Sequence, residues 1–212
     1  MYETLNEAQR LTVDKILGAY HRRSATTTSC FFIDGPGGAG KTYLYNALYH
    51  LFKGQGVSVL TVAWNGIAAK LSAEGRTVHS CFKLLVPLLG TPTSSIRLNT
   101  KEADTIGKAD VIIWDEALMA PSYALMVLGG DFRQVLPVVR LANMSQLIAA
   151  TLKSSEFWSY FKTIHLSKNM RQGLSEEEFS EWLIKLGNGN GELPASENDE
   201  IDLPTGCISD GN

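Results

Sequence analysis

Gly35-Pro36-Gly37-Gly38-Ala39-Gly40-Lys41-Thr42 matches every fixed position of the pattern G-x-x-x-x-G-K-[ST]. A triphosphate held away from bulk water needs many donors close together, and only backbone without side chains can crowd that tightly. The four glycines supply such backbone. In this pattern Lys41 sets a point charge against the β- and γ-phosphates, and the Thr42 hydroxyl completes the shell of a hydrated Mg²⁺. The stretch predicts a nucleoside triphosphate site in which Gly35, Pro36, Gly37, Gly38, Ala39, Gly40, Lys41 and Thr42 hold ATP.

The pattern needs a strand before it and a helix after it. Cys30-Phe31-Phe32-Ile33-Asp34 is a short apolar run of buried-strand type, and Tyr43 to Phe52 carries Leu44, Ala47, Leu48 and Leu51 at helical spacing. The helix N-terminus then points at the phosphates.

The 212 residues, 44% of them hydrophobic, suffice for one sizeable core, and one α/β domain is the economical reading. No run of about 18 apolar residues is present to span a bilayer. The opening Met1-Tyr2-Glu3 has no signal or transit character. Cys30, Cys81 and Cys207 are odd in number and far apart, which supports neither a zinc site nor a disulfide framework, and a reducing compartment is expected. His21, His50, His79 and His165 are scattered and read as structural or surface residues.

Net charge is −3, yet all 19 Lys and Arg precede residue 186 and six of the acids fall in the last 21 residues. Residues 1–191 therefore carry +3, a mildly basic body that permits nucleic-acid binding without demonstrating it.

Residues 5–20 predict a first helix with Val13, Ile16, Leu17 and Tyr20 on one face, and Asn6 with Gln9 can form its capping box. A second strand is expected at Val57–Ala63, a helix at Gly66–Glu74, and a loop over Pro87–Thr100. Strands follow at Val111–Trp114, Met126–Leu128 and Thr163–Leu166. Gln146–Phe161 reads as helical in two pieces, and Ser175 starts a last helix. Strands alternating with helices imply a parallel sheet covered on both faces. The domain is expected to run from residue 1 to 187, followed by an acidic Gly- and Asn-rich linker over 188–212.

Asp115-Glu116 ends the third strand, where a doubly wound sheet presents side chains to its ligand. Asp115 is placed to hold Mg²⁺ through water, and Glu116 to polarise the water attacking the γ-phosphate. Gly129-Gly130-Asp131-Phe132-Arg133-Gln134 follows the fourth strand, where a polar amide can sense the γ-phosphate.

Taken with Asp115-Glu116-Ala117 and Asn169-Met170-Arg171, that segment resembles superfamily 1 DNA helicases of the petite-integration-frequency type, including the helicases of Helitron transposons. The resemblance runs from Leu5 to about Leu203 in the family's motif order. It implies the first RecA-like lobe of an ATP-dependent 5′-to-3′ DNA helicase acting in DNA repair, recombination and telomere maintenance, with nuclear residence or mitochondrial as the alternative. By it Gln9 reads adenine, Gln134 contacts the γ-phosphate and Arg171 is the arginine finger, beside the roles already given to Lys41, Thr42, Asp115 and Glu116. Gln9 keeps its second reading as a helix cap, and Arg171 that of a surface arginine.

Val62–Ala69 and Thr77–Phe82 resemble the family's segments that grip single-stranded DNA. Trp64-Asn65 stands where a Thr-Ser pair is commoner, and His79 has an equal reading as a packed residue. Phe157, Trp158, Tyr160 and Phe161 sit beside apolar positions and are expected to pack in the core rather than stack on bases.

Two departures stand out. About ten residues separate the third strand from the fourth, whereas a parallel crossover usually takes a dozen or more and includes a helix. One crossover helix is therefore expected to be missing, with Glu116 and the order of adjacent strands most exposed to that loss, and nucleotide binding more secure than hydrolysis. Nothing after Gly187 resembles the second lobe, so the chain is not expected to separate duplex DNA by itself.

Overall fold

The computed structural model describes residues 1–23, 30–84, 94–97, 99–115, 125–131, 152–170 and 177–188. In chain order these form α1 (Glu7–His21), β1 (Cys30–Asp34), α2 (Lys41–Gly54), β2 (Val59–Ala63), α3 (Gly66–Leu71), a two-residue β3 (Arg76–Thr77), α4 (Val78–Phe82), α5 (Lys101–Gly107), β4 (Val111–Asp115) and β5 (Leu125–Gly130). Two short 3-10 turns, Leu152–Ser154 and Glu156–Tyr160, lead into β6 (Phe161–His165), and α6 (Glu177–Asn188) follows. The start of α6 at Ser175 lies outside the described residues, and of the linker expected over 188–212 only Asn188 is described, as the last residue of α6.

The six strands form one sheet in the order β3-β2-β4-β5-β1-β6, and every neighbouring pair is parallel. Alternate residues face opposite sides. Phe31, Ile33, Val111, Ile113 and Val127 pack with Val13 and Ile16 of α1 and Leu44, Leu48 and Phe52 of α2. Phe32, Ile112, Trp114, Met126 and Leu128 pack with Val78 and Phe82 of α4, and Ile106 and Trp158 close that side. Strands buried on both faces carry no polar alternation, which is why they read as continuous apolar runs.

The connection that was expected to endanger the strand order does not break it. β4 and β5 are parallel neighbours, in register from Val111 opposite Leu125 to Asp115 opposite Gly129. The chain must return only the length of one short strand, roughly 3.3 Å per residue, and the nine residues 116–124 reach roughly 30 Å when extended. Whether a helix forms there lies outside the described residues.

Other differences have local causes. α5 was not foreseen because none of its residues is fully buried, so it has no apolar stripe; Thr100 caps it by accepting from the Ala103 N–H at 3.3 Å. β3 is too short to leave a pattern. Trp158 packs edge-on against Phe32 at 5.1 Å and stacks on Phe161 at 6.0 Å, as expected of core residues. Tyr160 does not follow them: it is 67% exposed, at the turn into β6. The side chain of Phe157 lies outside the described residues. Cys30 and Cys81 are buried free thiols.

Candidate nucleotide site

β1 ends at Asp34 and α2 begins at Lys41, so the glycine loop spans the carboxyl edge of the sheet between them. Gly38 and Gly40 adopt φ of +87° and +76°, backbone that L side chains rarely take. A Cβ on Gly38 would run into the Asn169 side chain, and one on Gly40 would lie 2.5 Å from Gln9 Nε2. The Met170 N–H donates to the Gly38 carbonyl at 2.8 Å, tying the chain after β6 to the loop. Lys41 Nζ donates to the carbonyls of Gly35 at 2.5 Å and Pro36 at 3.2 Å, so the ammonium lies folded into the loop's concavity.

A cavity of about 520 Å³ opens over this edge, within the range that holds small ligands. Gly37, Gly38, Ala39, Gly40, Lys41 and Thr42 line it, facing Asp115 at the end of β4 and Asp131 just beyond β5. Gly35 and Pro36 form the loop's base through the carbonyls bound to Lys41. Asp115 is only 8% exposed, and its carboxylate with the Thr42 hydroxyl is the kind of sparse donor pair expected for Mg²⁺ that keeps its waters and takes the rest of its shell from phosphate. Among the described residues no cluster of three or more His, Cys, Asp or Glu forms a metal cage. The glycine cradle, the inward lysine and the facing carboxylate fit a magnesium triphosphate, which would supply the phosphoryl group.

Gln9 is 2% exposed and sits beneath the loop. Its Oε1 accepts from the Asn6 N–H at 3.1 Å while the Asn6 carboxamide oxygen accepts from the Gln9 N–H at 2.9 Å, completing the capping box. Its Nε2 donates to the Ala39 carbonyl at 3.4 Å. Both halves of the amide are thus used, one to cap α1 and the other to support the loop.

Tyr45 is a residue that sequence reasoning passed over. Tyr45 is 1% exposed, and its buried hydroxyl has no hydrogen-bond partner among the described residues, a condition that costs about 1–3 kcal/mol for a buried polar group. Burial pushes its phenol well above the ordinary tyrosine value, and the negative charge of Asp115 adds to the rise. Nothing in the spacing of α2 marks it, because an aromatic at this position of a helix reads as ordinary core.

Asn65, Ile67, Ala68 and Leu71 also line the cavity, brought there by α3. Asn65 caps α3 by accepting from the Ala68 N–H at 2.8 Å, a local reason for asparagine after Trp64. Trp64 meets His79 edge-on at 4.8 Å, so His79 is packed against an aromatic partner. Thr77 caps α4 through the Ser80 N–H at 3.3 Å. His165 Nδ1 lies 3.1 Å from Asp34 Oδ2 at the surface. Glu116, Gln134 and Arg171 lie outside the described residues.

A parallel sheet with helices on both faces, a glycine loop leading from β1 into α2 and an aspartate ending the neighbouring β4 define a RecA-like phosphate-loop nucleotide domain. The profile of the PIF1-like helicases matches residues 4–125 and 123–197. The chain belongs to the PIF1-like helicase family. It is 28% identical over 170 residues to the ATP-dependent DNA helicase Pif1 of Psychrobacter sp. (strain PRwf-1), a match covering 69% of this chain and 26% of that protein. The Pif1 helicase from Bacteroides in complex with ADP-AlF3 and ssDNA superposes with a TM-score of 0.63 at 21% identity, covering 84% of this chain and 46% of that one. The Candida albicans Pif1 helicase gives 0.62 at 19% identity, with 96% and 50% covered. The chain thus spans about half the length of these solved relatives, or less of the curated one.

Proposed function

We propose that this chain is the first motor lobe of an ATP-dependent 5′-to-3′ DNA helicase. The observation that carries the reading is the single cavity wall shared by Gly37 to Thr42, Asp115 and Asp131 at the carboxyl ends of parallel strands. In this reading Lys41 leaves the Gly35 and Pro36 carbonyls for the β- and γ-phosphates, and Thr42 with Asp115 holds Mg²⁺. Glu116 takes a proton from the attacking water, Gln134 senses the γ-phosphate, and Arg171 sets its guanidinium against the charge that builds on the phosphoryl oxygens. Gln9 reads adenine in this scheme, its Nε2 leaving the 3.4 Å contact with the Ala39 carbonyl while its Oε1 keeps the α1 cap. Single-stranded DNA runs along Val62–Ala69 and Thr77–Phe82, and a second RecA-like lobe completes the track.

The test is phosphate release from ATP and Mg²⁺ by wild type and Lys41→Ala, with and without single-stranded DNA. Lys41-dependent release that rises with DNA is expected; release indifferent to DNA would sink the motor reading. In the full-length protein, a 5′-tailed but not a 3′-tailed duplex is expected to be unwound, and the opposite preference would overturn the assigned polarity. Nuclear residence and service in DNA repair, recombination and telomere maintenance rest on the family resemblance. Cytosolic localisation of the tagged full-length protein would count against them.

A second reading, a nucleotide-holding remnant without turnover, is favoured by one observation. The two segments of the family match meet at residues 123–125, at the end of the short connection that begins with Glu116. Lys41-dependent binding of ATP with no phosphate release, with or without DNA, would select it.

A further inference from the structure

We propose that Tyr45 is a positioning residue of this site: its hydroxyl is the donor that orients the Asp115 carboxylate when a divalent cation binds with nucleotide. This deepens the reading of Asp115 given above and rests on it. Tyr45 lies four residues after Lys41 on α2, so its ring descends onto the sheet one turn below the phosphate loop. It ends over Gly129, where an added Cβ would collide with the hydroxyl; the glycine leaves the room that the oxygen fills. Gly129 is flanked by Asp115 of β4 on one side and Ile33 of β1 on the other. The hydroxyl therefore sits among the carboxyl ends of the three central strands, beneath the cavity that Asp115 lines.

Among the described residues the Tyr45 oxygen is unpaired, and phenylalanine would fill almost the same volume without burying it, so packing alone gives no reason for the hydroxyl. An acceptor reached in the ligand-bound state does. Asp115 is the charged group whose field reaches the phenol, and a carboxylate has about four lone-pair sites, enough to serve a metal's water shell and a phenol together. The phenol stays protonated across the physiological range, so it acts as a donor. Donors behind a metal-binding carboxylate fix which oxygen faces the ion, and their loss weakens metal binding without emptying the site.

The test compares wild type, Tyr45→Phe and Lys41→Ala, using a fluorescent ATP analogue titrated in EDTA and across Mg²⁺ concentrations, with thermal unfolding of the nucleotide-free proteins. Tyr45→Phe is expected to melt at or above the wild-type temperature and to bind nucleotide normally in EDTA. Its half-saturating Mg²⁺ concentration is expected to rise on the order of 10-fold. An unchanged Mg²⁺ response overturns the proposal, as does an equal loss of affinity in EDTA and in Mg²⁺, which would mark a purely structural role. If wild type and Lys41→Ala bind alike, the nucleotide-site reading fails and this inference with it. Lys41-dependent binding with an unaltered Mg²⁺ response in Tyr45→Phe defeats this inference alone.

Discussion

Lys41 and Gly40 stand side by side in the loop and act through different physics. Lys41 contributes charge: an ammonium bonded to phosphate is worth about 1.5–3 kcal/mol, so Lys41→Ala should weaken ATP-analogue binding roughly 10- to 100-fold in a fluorescence titration. Unchanged affinity would place the nucleotide elsewhere. Gly40 contributes backbone. Its φ of +76° costs a residue with a Cβ roughly 1–2 kcal/mol. That Cβ would also displace the Gln9 amide, which caps α1 and supports Ala39. Gly40→Ala is therefore expected to lower the urea midpoint as well as nucleotide affinity, whereas Lys41→Ala should lower affinity alone. The glycines and the lysine were legible because their chemistry is local to the motif. Tyr45 was not, because an orphaned hydroxyl is visible only once Gly129, far along the chain, lies against it.

Among the elements, α1, β2 and β4 are joined at their ends by one carboxylate. Asp110 accepts from Arg23 at 2.9 Å and from the Ser58 N–H at 3.1 Å, while Arg23 also lies over the Tyr20 ring at 4.1 Å. The Arg23 hydrogen bond holds the Asp110 carboxyl below its ordinary range against the opposing effect of partial burial, with the Ser58 N–H adding to the lowering. A depressed folded-state pKa gives stability that is fully present above the unfolded value near about 4 and is lost as pH falls through the lower folded value. Both side chains are about a third or more exposed, so the contribution is small. Asp110→Asn should cost under about 1 kcal/mol at neutral pH, and the gap to wild type should close as urea unfolding is repeated at progressively lower pH below about 4. A gap that persists into strong acid would assign the loss to packing. β1, β2, β4, β5 and the two long helices α1 and α2 were legible at this scale, since each has a strong apolar run or stripe; the expected strand at Thr163–Leu166 overlaps the half-exposed edge strand β6. β3 and α5 were not, being respectively too short and too polar to leave a period.

At the scale of the whole molecule, ligand binding and folding are linked. A magnesium nucleotide that binds only the folded chain at about 100 times its Kd stabilises it by about 2.7 kcal/mol. For a domain of this size that is a Tm rise of roughly 5–10 °C. The rise is expected in wild type by scanning fluorimetry and should shrink to roughly 1–5 °C in Lys41→Ala at the same ligand concentration; an equal rise in both would mean that the ligand binds outside the loop. The amino-acid sequence by itself determined the phosphate chemistry, the alternation of apolar strands with helices and the likeness to a helicase family. Each of these is written in neighbouring residues or in the order of short motifs. Only the tertiary structure decided that β4 and β5 are parallel neighbours across a nine-residue connection, and that α3 reaches the cavity. The same holds for the Tyr45 hydroxyl, which lies over Gly129 beside Asp115. Those placements depend on the sheet order β3-β2-β4-β5-β1-β6, which brings distant residues together through burial that no local period encodes.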